Sequence, residues 1–211
     1  MPMNLVQRNR AKAFWSWWET SQKRLAKVED ARDPIFDEAV ALLKKYDDAL
    51  GIEIAVPPKG SRRLIITAYG DADHQQSVLD LFEVKPALGA WQAVAFRPAE
   101  GADFELEIGG FSFSGEQIWF EPLRDSSDPS ILGLEVHFTG SEDIPSEVAA
   151  TAAGLAVMAV VGELSFMKDI SAIRIGPSGA THVQELIPLA RLPQFIEWSK
   201  KGPPRRAPDS A

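Results

Sequence analysis

The chain has 211 residues, of which 45% are hydrophobic and 25% charged, so it is long enough to bury a substantial core. It contains no cysteine, which excludes disulfides, cysteine-ligated zinc, iron–sulfur clusters and cysteine nucleophiles. Residues 1–30 carry six basic and three acidic side chains, and residues 199–211 carry four basic and one acidic. Because the net charge is −8, the intervening body carries −14 and would repel phosphate backbones, so nucleic-acid binding is not expected.

The sequence favours a cytoplasmic protein. The basic N-terminus lacks an apolar stretch of the length that a signal peptide needs. The most apolar run, residues 148–161, is rich in alanine and too short to span a bilayer. We therefore expect neither export nor a membrane partner.

The first predicted element is an aromatic amphipathic helix over about residues 12–28. Three of the six tryptophans, Trp15, Trp17 and Trp18, fall within four residues of it. At 100° per residue, the following side chains form an apolar stripe of the width expected for a core-facing side: Phe14, Trp17, Trp18, Ser21, Leu25 and Val28. Trp15 lies about 60° outside this stripe, so we expect it to be partly exposed.

This helix admits three interpretations. The first is that it packs on its own domain. The second is that Trp15, Trp17 and Trp18 contribute to a protein interface, where aromatic side chains are favoured anchors. The third is binding to an anionic membrane surface, which is weakened because basic residues lie all round the helix instead of flanking the apolar stripe.

A second helix is predicted to begin at Asp33-Pro34, because aspartate is a favoured N-cap and proline suits the first helical position. Gly51 is a plausible stop for it. The period of the apolar residues then changes to two, which indicates strands. The other elements predicted before residue 100 are strands over 52–56, 64–69 and 91–96 and a helix over about 74–85.

The clearest hairpin in the chain covers residues 104–114. Its two-residue loop, Gly109-Gly110, suits a type I′ turn and predicts that Ile108 pairs with Phe111 and Leu106 with Phe113. All apolar side chains then share one face, and Glu105 and Glu107 lie on the other. The later predicted elements are strands over 118–121, 131–138 and 170–175 and helices over about 145–161 and 193–198.

These elements predict an α+β fold with a mainly antiparallel β-sheet, helices packed on one face and an N-terminal helical pair. The order of elements at 52–96 and 104–175 is similar, which indicates two loosely similar ββαβ-like halves. We predict one globular domain over 1–198, with possible sub-halves 1–98 and 104–198. A disordered, basic, proline-rich tail is predicted over 199–211. The strand order, and whether the halves share a sheet, stay open.

The motif Phe14-Trp15-x-Trp17-Trp18 and the strand end Ala95-Phe96-Arg97-Pro98 resemble a group of uncharacterised bacterial proteins that open with a similar aromatic helix. The resemblance covers mainly the first hundred residues. It implies a bacterial source and no known activity, so it assigns a role to no residue.

The best candidate for an active surface is the polar face of the Gly-Gly hairpin. Glu105 and Glu107 point the same way, and His137 lies in a later strand. If these strands are neighbours, the three side chains could cluster for general acid–base catalysis. We favour the alternative of a solvated sheet face with cross-strand ion pairs. Glu121, Glu135 and Arg174 also lie in predicted strands. Glu135 and His137 share a face because they are two residues apart, so these carboxylates could join the same cluster if the strands are neighbours.

A second polar cluster, residues 71–74, lies between a strand and a helix and could bind a metal ion or an anion. We favour a structural role, in which Asp73 caps the helix, Gln76 completes a weak capping box and Asp71 interacts with the helix dipole. No phosphate loop, dinucleotide fingerprint or paired-histidine motif is found, and we expect no metal and no cofactor. The three histidines are too scattered to indicate a metal centre: His74, His137 and His182.

Our first functional hypothesis is a non-catalytic protein-interaction or regulatory module with an unidentified protein partner. It rests on the missing catalytic motifs, the acidic body and the aromatic helix. The alternative is an acid–base hydrolase or small-ligand-binding protein that uses Glu105, Glu107 and His137. The alternative requires these side chains to converge within about 5–10 Å, as paired acid–base carboxylates do. The sequence identifies neither a substrate nor an oligomeric state.

Overall fold

The computed structural model describes residues 3–56, 60–124, 132–139, 144–177 and 186–201. These residues form an α+β fold with three sheets, in which most strand pairs are antiparallel. The predicted fold class is therefore confirmed. The chain packs as two compact units, Met1–Pro98 and Ala99–Ala211.

Within residues 3–56 and 60–98, the first unit combines four α-helices with a three-stranded sheet. The helices are α1 (Leu5–Thr20), α2 (Gln22–Leu25), α3 (Ile35–Tyr46) and α4 (Gln75–Glu83). The strands are β1 (Gly51–Ala55), β2 (Arg62–Thr67) and β3 (Trp91–Ala95), in the order β1-β2-β3. β1 pairs with β2 antiparallel, whereas β2 pairs with β3 parallel. A parallel pair needs a crossover connection, and α4 provides it.

Trp15 is buried in the first unit, with only 1% of its surface exposed. Its indole Nε1 donates a hydrogen bond of 2.7 Å to the carbonyl oxygen of Leu81, and its ring meets the ring of Phe82 edge-on at 5.5 Å. The expectation that Trp15 stays partly exposed is wrong, because α4 covers the side of α1 that the predicted stripe left free.

The predicted apolar stripe is buried except at one position. The buried members are Phe14, Trp18, Ser21, Leu25 and Val28. Trp17 is only partly buried, and its Nε1 donates to the carboxylate of Glu38 at 2.8 Å. Arg24 contacts the same carboxylate at 2.6 Å. The hydrogen bonds from Arg24 and from Trp17 lower the pKa of Glu38 to about 2.

Several helix boundaries differ from the prediction. α1 begins at Leu5, because the side chain of Asn4 caps it, and the helix breaks at Ser21 so that the predicted single helix is two. The second predicted helix ends at Tyr46 and does not reach Gly51, which is the first residue of β1.

The turn before α4 is capped by a different residue from the one predicted. Asp71, not Asp73, is the cap, since its Oδ1 accepts the backbone N–H of Asp73 at 2.9 Å in a 3-10 turn. Gln76 donates to Asp80 at 2.7 Å and forms no capping box.

The second unit contains six strands and three helices among its described residues. The strands are β4 (Glu105–Ile108), β5 (Phe111–Ser114), β6 (Ile118–Arg124), β7 (Leu132–Phe138), β8 (Ile170–Ile175) and β9 (Ile187–Pro188). The helices are α5 (Ser146–Val161), α6 (Glu163–Asp169) and α7 (Leu192–Lys201). β4 and β5 form a separate two-stranded sheet, and the other strands form a sheet in the order β8-β7-β6-β9. Neither α6 nor β9 was predicted.

The Gly-Gly hairpin has the predicted register. Ile108 pairs with Phe111 and Leu106 with Phe113. Gly109 and Gly110 have φ angles of 61° and 84°, and a type I′ turn requires positive φ at both positions.

The core of the second unit lies between the four-stranded sheet and α5. Leu134 and Val136 of β7 belong to the same buried cluster as Ala152, Ala153 and Ala156 of α5. These alanines let the helix backbone lie close to the strands, as the run of small residues predicts.

Both units contain a ββαβ arrangement with the same strand pairing. In each, an antiparallel pair is followed by a helical crossover and a third strand parallel to the second. The same hydrogen bond extends each parallel ladder, from Phe96 N to Ile66 O and from Gly176 N to Val136 O, both at 2.8 Å. The predicted similarity of the halves is therefore present, but each half has its own sheet. By ladder position, Phe96 corresponds to Gly176.

No single helix in the described ranges is both long and apolar enough to cross a membrane. α5 and α6 reach that length and composition only as a pair, which is bent by 109° at the break between them. The predicted tail starts inside α7, and residues 202–211 lie outside the described residues, as does His182.

We expect Trp15→Phe to lower the free energy of unfolding by about 1–3 kcal/mol, because it leaves the Leu81 carbonyl without its donor in the last turn of α4. Trp17→Phe is the matched control, since it removes a similar indole hydrogen bond at a site that is open to water. We expect it to cost less than about 1 kcal/mol. Denaturant unfolding followed by circular dichroism measures both. Equal losses would contradict the role given to Trp15.

The end of α3 is joined to the turn before α4 by an ion pair between Asp47 and His74, at 2.9 Å. The hydrogen bond to Asp47 raises the pKa of His74. Burial acts to raise the pKa of Asp47, but hydrogen bonds from Ser77, His74 and the backbone of Ala49 outweigh it and lower that pKa.

These shifts predict a pH window for the stabilising effect of the pair. The His74 contribution is complete below about pH 6.5 and is lost as the pH rises through its higher folded pKa. The Asp47 contribution is present above about pH 3.9 and is lost as the pH falls through its lower folded pKa. We therefore expect His74→Gln to lower the melting temperature most between these values and less at alkaline pH. A loss independent of pH would contradict the ion pair.

Candidate functional site

β7, one of the two central strands of the four-stranded sheet, is buried along its whole length. Its even-numbered residues face the apolar core, so Gly133, Glu135 and His137 lie on the opposite face. Glu135 is 8% exposed and His137 only 4%. A carboxylate and an imidazole withdrawn from water need polar partners to offset their desolvation.

The partners lie on the neighbouring strand β6. Glu121 pairs with Glu135 across the antiparallel ladder. The Nε2 atom of His137 lies 3.3 Å from Oε1 of Glu121 and 3.5 Å from Oε1 of Glu135. One ligand atom from each of these three residues lies within 4.8 Å of the others. We call this group the EEH cluster.

Arg174 of β8 fixes one member of the EEH cluster. It is the ladder partner of Glu135 on the parallel side, and its guanidinium contacts Oε2 of Glu135 through Nε and Nη2. The other carboxylate oxygen, Oε1, is the one that faces His137. Arg174 thus orients Glu135 and balances one of the two negative charges of the cluster. The opposition of Glu121 and Glu135 is still unfavourable, because like charges directly across a ladder repel.

His137 has unused hydrogen-bonding capacity. Neither Nδ1 nor Nε2 makes a hydrogen bond of acceptable geometry with any described residue. A buried polar group without such a bond costs about 1–3 kcal/mol. A side chain in this state is suited to a ligand that uses its free nitrogen.

Gly176 provides the space for the His137 ring. A Cβ atom at position 176 would overlap Cε1 and Nδ1 of the imidazole. The backbone of Gly176 is not in the left-handed region, so its conformation does not itself require glycine. The corresponding position in the first unit is the buried Phe96. The glycine therefore serves the imidazole.

Two of the three distances between ligand atoms in the EEH cluster match those of a metal site. Carboxylate oxygens and imidazole nitrogens bind zinc at about 2.0–2.2 Å, so two such ligands at tetrahedral angles lie about 3.4 Å apart. The two distances from Nε2 are 3.3 and 3.5 Å. Three protein ligands are the number typical of metal sites that keep one position for an outside ligand.

The other predicted catalytic residues do not join His137. Glu105 and Glu107 lie on β4, which pairs only with β5 in a sheet of its own. Both are exposed. The predicted grouping of Glu105, Glu107 and His137 on one sheet face is therefore wrong, because the hairpin does not continue into the larger sheet. The carboxylates that approach His137 are Glu121 and Glu135.

The tryptophans predicted for an interface have little surface to offer. Trp15 and Trp18 are buried in the first unit, and only Trp17 is partly exposed. The interface hypothesis stays a prediction, with Trp17 as its one accessible aromatic member in this motif.

Sequence spacing did not indicate the EEH cluster as a metal site. The histidines are too scattered along the sequence to indicate a metal centre, whereas the cluster needs a single histidine and carboxylates from two strands. The available signal was the position of Glu135 and His137 two residues apart in one strand. The pairing that adds Glu121 is a tertiary feature.

A comparison of the chain with protein-family models, with curated proteins and with solved structures finds no match.

We expect Gly176→Ala to destabilise the second unit by about 1–3 kcal/mol, because the new methyl group overlaps the His137 ring. Gly154→Ala is the matched control: it lies within α5, meets nothing within 4 Å, and is expected to be neutral or stabilising by up to about 1 kcal/mol. Denaturant unfolding is the measurement.

A double-mutant cycle with His137→Ala shows whether the imidazole is the cause. The cost of Gly176→Ala is expected to fall toward zero when the ring is absent. An unchanged cost would mean that glycine is required there for another reason.

Proposed function

We propose that this protein binds a divalent transition-metal ion through Glu121, Glu135 and His137. The observation that carries the proposal is the buried His137, whose Nε2 faces two carboxylate oxygens at 3.3 and 3.5 Å. This is a narrower form of the ligand-binding alternative considered from the sequence, and it needs neither Glu105 nor Glu107.

The ligand types favour particular ions. Imidazole suits zinc, iron, nickel and copper, whereas carboxylates also suit manganese. Magnesium and calcium prefer sites made only of oxygen ligands, so His137 argues against them. The set of one nitrogen and two carboxylates therefore supports Zn²⁺, Mn²⁺ or Fe²⁺, with Co²⁺ as a spectroscopic substitute.

An ion pair between a protonated His137 and the two glutamates is the competing explanation. Charge-assisted hydrogen bonds are about 2.7–2.9 Å long, and both distances in the EEH cluster are longer. A metal ion placed between the three ligand atoms accounts for both distances and offsets the repulsion between Glu121 and Glu135.

The cytoplasmic location expected from the sequence, and the bacterial source implied by the resemblance of the aromatic helix, remain parts of this proposal. The lack of cysteine supports the location, because it suits a reducing compartment.

Isothermal titration of chelator-treated protein with Zn²⁺ and Mn²⁺ tests the metal site. We expect one ion per chain. Loss of a residue that only hydrogen-bonds to a metal ligand weakens metal affinity about 10–100-fold. Glu121→Gln removes a direct ligand, so we expect it to weaken the affinity by more than this. Glu121 suits the test because its side chain is 49% exposed, so the change is not expected to disturb folding.

Glu107→Gln is the matched control, since it removes an exposed strand carboxylate from the other sheet of the same unit. Its affinity should equal that of the wild type. Absence of stoichiometric binding by the wild type, or equal losses in the two variants, would overturn the proposal in favour of the ion-paired cluster. Circular dichroism spectra confirm that both variants are folded.

A further inference from the structure

The number of protein ligands in the EEH cluster leaves the coordination of a metal ion incomplete. Glu121, Glu135 and His137 supply three donors, whereas zinc takes at least four. The side of the cluster that faces water is marked by Glu121, whose side chain is 49% exposed, and by Arg174, at 66%. An outside ligand can therefore approach between these two side chains.

The charges around the ion select the sign of that ligand. With a neutral imidazole, Glu121, Glu135 and Arg174 together carry −1. A divalent ion changes this sum to +1. A monoanion then brings the site to neutrality, whereas phosphate, with a charge of about −1.5 to −2 at neutral pH, leaves an excess of negative charge.

Arg174 has donors left for such an anion. Its guanidinium carries five N–H donors, and the contact with Oε2 of Glu135 is made through Nε and Nη2. The remaining donors belong to the exposed part of the side chain. A carboxylate has two oxygens, so one can bind the metal ion while the other accepts a charge-assisted hydrogen bond from the guanidinium.

Small residues lie on the sheet face beside the cluster. Gly133, Ala172 and Gly176 occupy the same face as Glu135 and Arg174 in the neighbouring ladder positions. Trp119 pairs with His137 and brings an indole to the other side of the cluster. The His137 ring fills the space at Gly176, and Leu123 lies against Gly133. The exposed Ala172, one ladder position from Arg174 on the same face, is therefore the small residue that leaves room for a ligand, and the indole of Trp119 can give the carbon skeleton of the ligand an apolar contact.

We propose that the metal-loaded EEH cluster binds a small carboxylate anion between the metal ion and the guanidinium of Arg174. This inference rests on the proposed metal site. Arg174 has two roles in it: it orients Glu135 through Oε2, and it binds the second oxygen of the incoming carboxylate.

The test uses the full chain loaded with saturating Co²⁺, whose visible absorption reports its coordination, and acetate as the probe. We expect a saturable spectral change on addition of acetate, and none with perchlorate at the same ionic strength. Arg174→Gln should weaken acetate binding about 10–100-fold, the loss expected for hydrogen bonds to a charged group. Arg191→Gln removes an exposed arginine of the same unit and should leave acetate binding unchanged.

The possible results separate the two proposals. If Co²⁺ binds but acetate gives no more change than perchlorate, the carboxylate inference is overturned and the metal site stands. If Co²⁺ does not bind, both fail. If inorganic phosphate binds more tightly than acetate, or if Arg174→Gln and Arg191→Gln behave alike, the assignment of a carboxylate to Arg174 is wrong.

Discussion

The second unit depends on one constraint, which is that β7 is buried on both faces. One face of the strand is apolar and packs in the core with α5, so it needs no further compensation. The other face carries Glu135 and His137, which lose their hydration when the sheet forms. Arg174 and Glu121 occupy the ladder positions on either side of Glu135, and Gly176 gives the imidazole its space. The residues that offset the desolvation of Glu135 and His137 are therefore the residues that form the site.

The first unit shows that the ββαβ arrangement does not by itself require such a site. Aligning the two ladders at Phe96 and Gly176 places Ile65 at the position of Glu135 and Thr67 at that of His137. Thr67 is fully buried, and its hydroxyl accepts the N–H of Tyr69. In the first unit, the positions that correspond to Glu135 and His137 therefore carry an aliphatic side chain and a hydroxyl that hydrogen-bonds to the nearby backbone. The polar residues of the other unit are an addition to the scaffold and not a requirement of it.

Local features of the fold were predictable from the sequence, because their determinants lie within a few residues. The Gly109-Gly110 loop fixed both the turn and the register of its hairpin. The cap at Asp71 was displaced by two residues, which is the usual scale of error when several aspartates compete for one helix start. The sheet boundaries were not predictable in this way. Whether β5 continues into β6 depends on packing far along the chain, so the sequence pattern does not show that Glu105 and Glu107 lie in a different sheet from His137.

The EEH cluster was predictable from the sequence only in part. The spacing of Glu135 and His137 places both on one strand face from sequence alone, whereas Glu121 and Arg174 reach them only through one antiparallel and one parallel pairing. A parallel partner is separated by a crossover, so no local pattern reports it. The separate contributions then reinforce one another: Gly176 admits the ring, Arg174 turns one oxygen of Glu135 toward it, and Glu121 brings a second carboxylate. Gly176 is needed wherever the imidazole lies in this position, but a single ion pair with His137 would need only one glutamate. The second carboxylate beside a ring nitrogen that makes no hydrogen bond is the feature that favours the proposed cation.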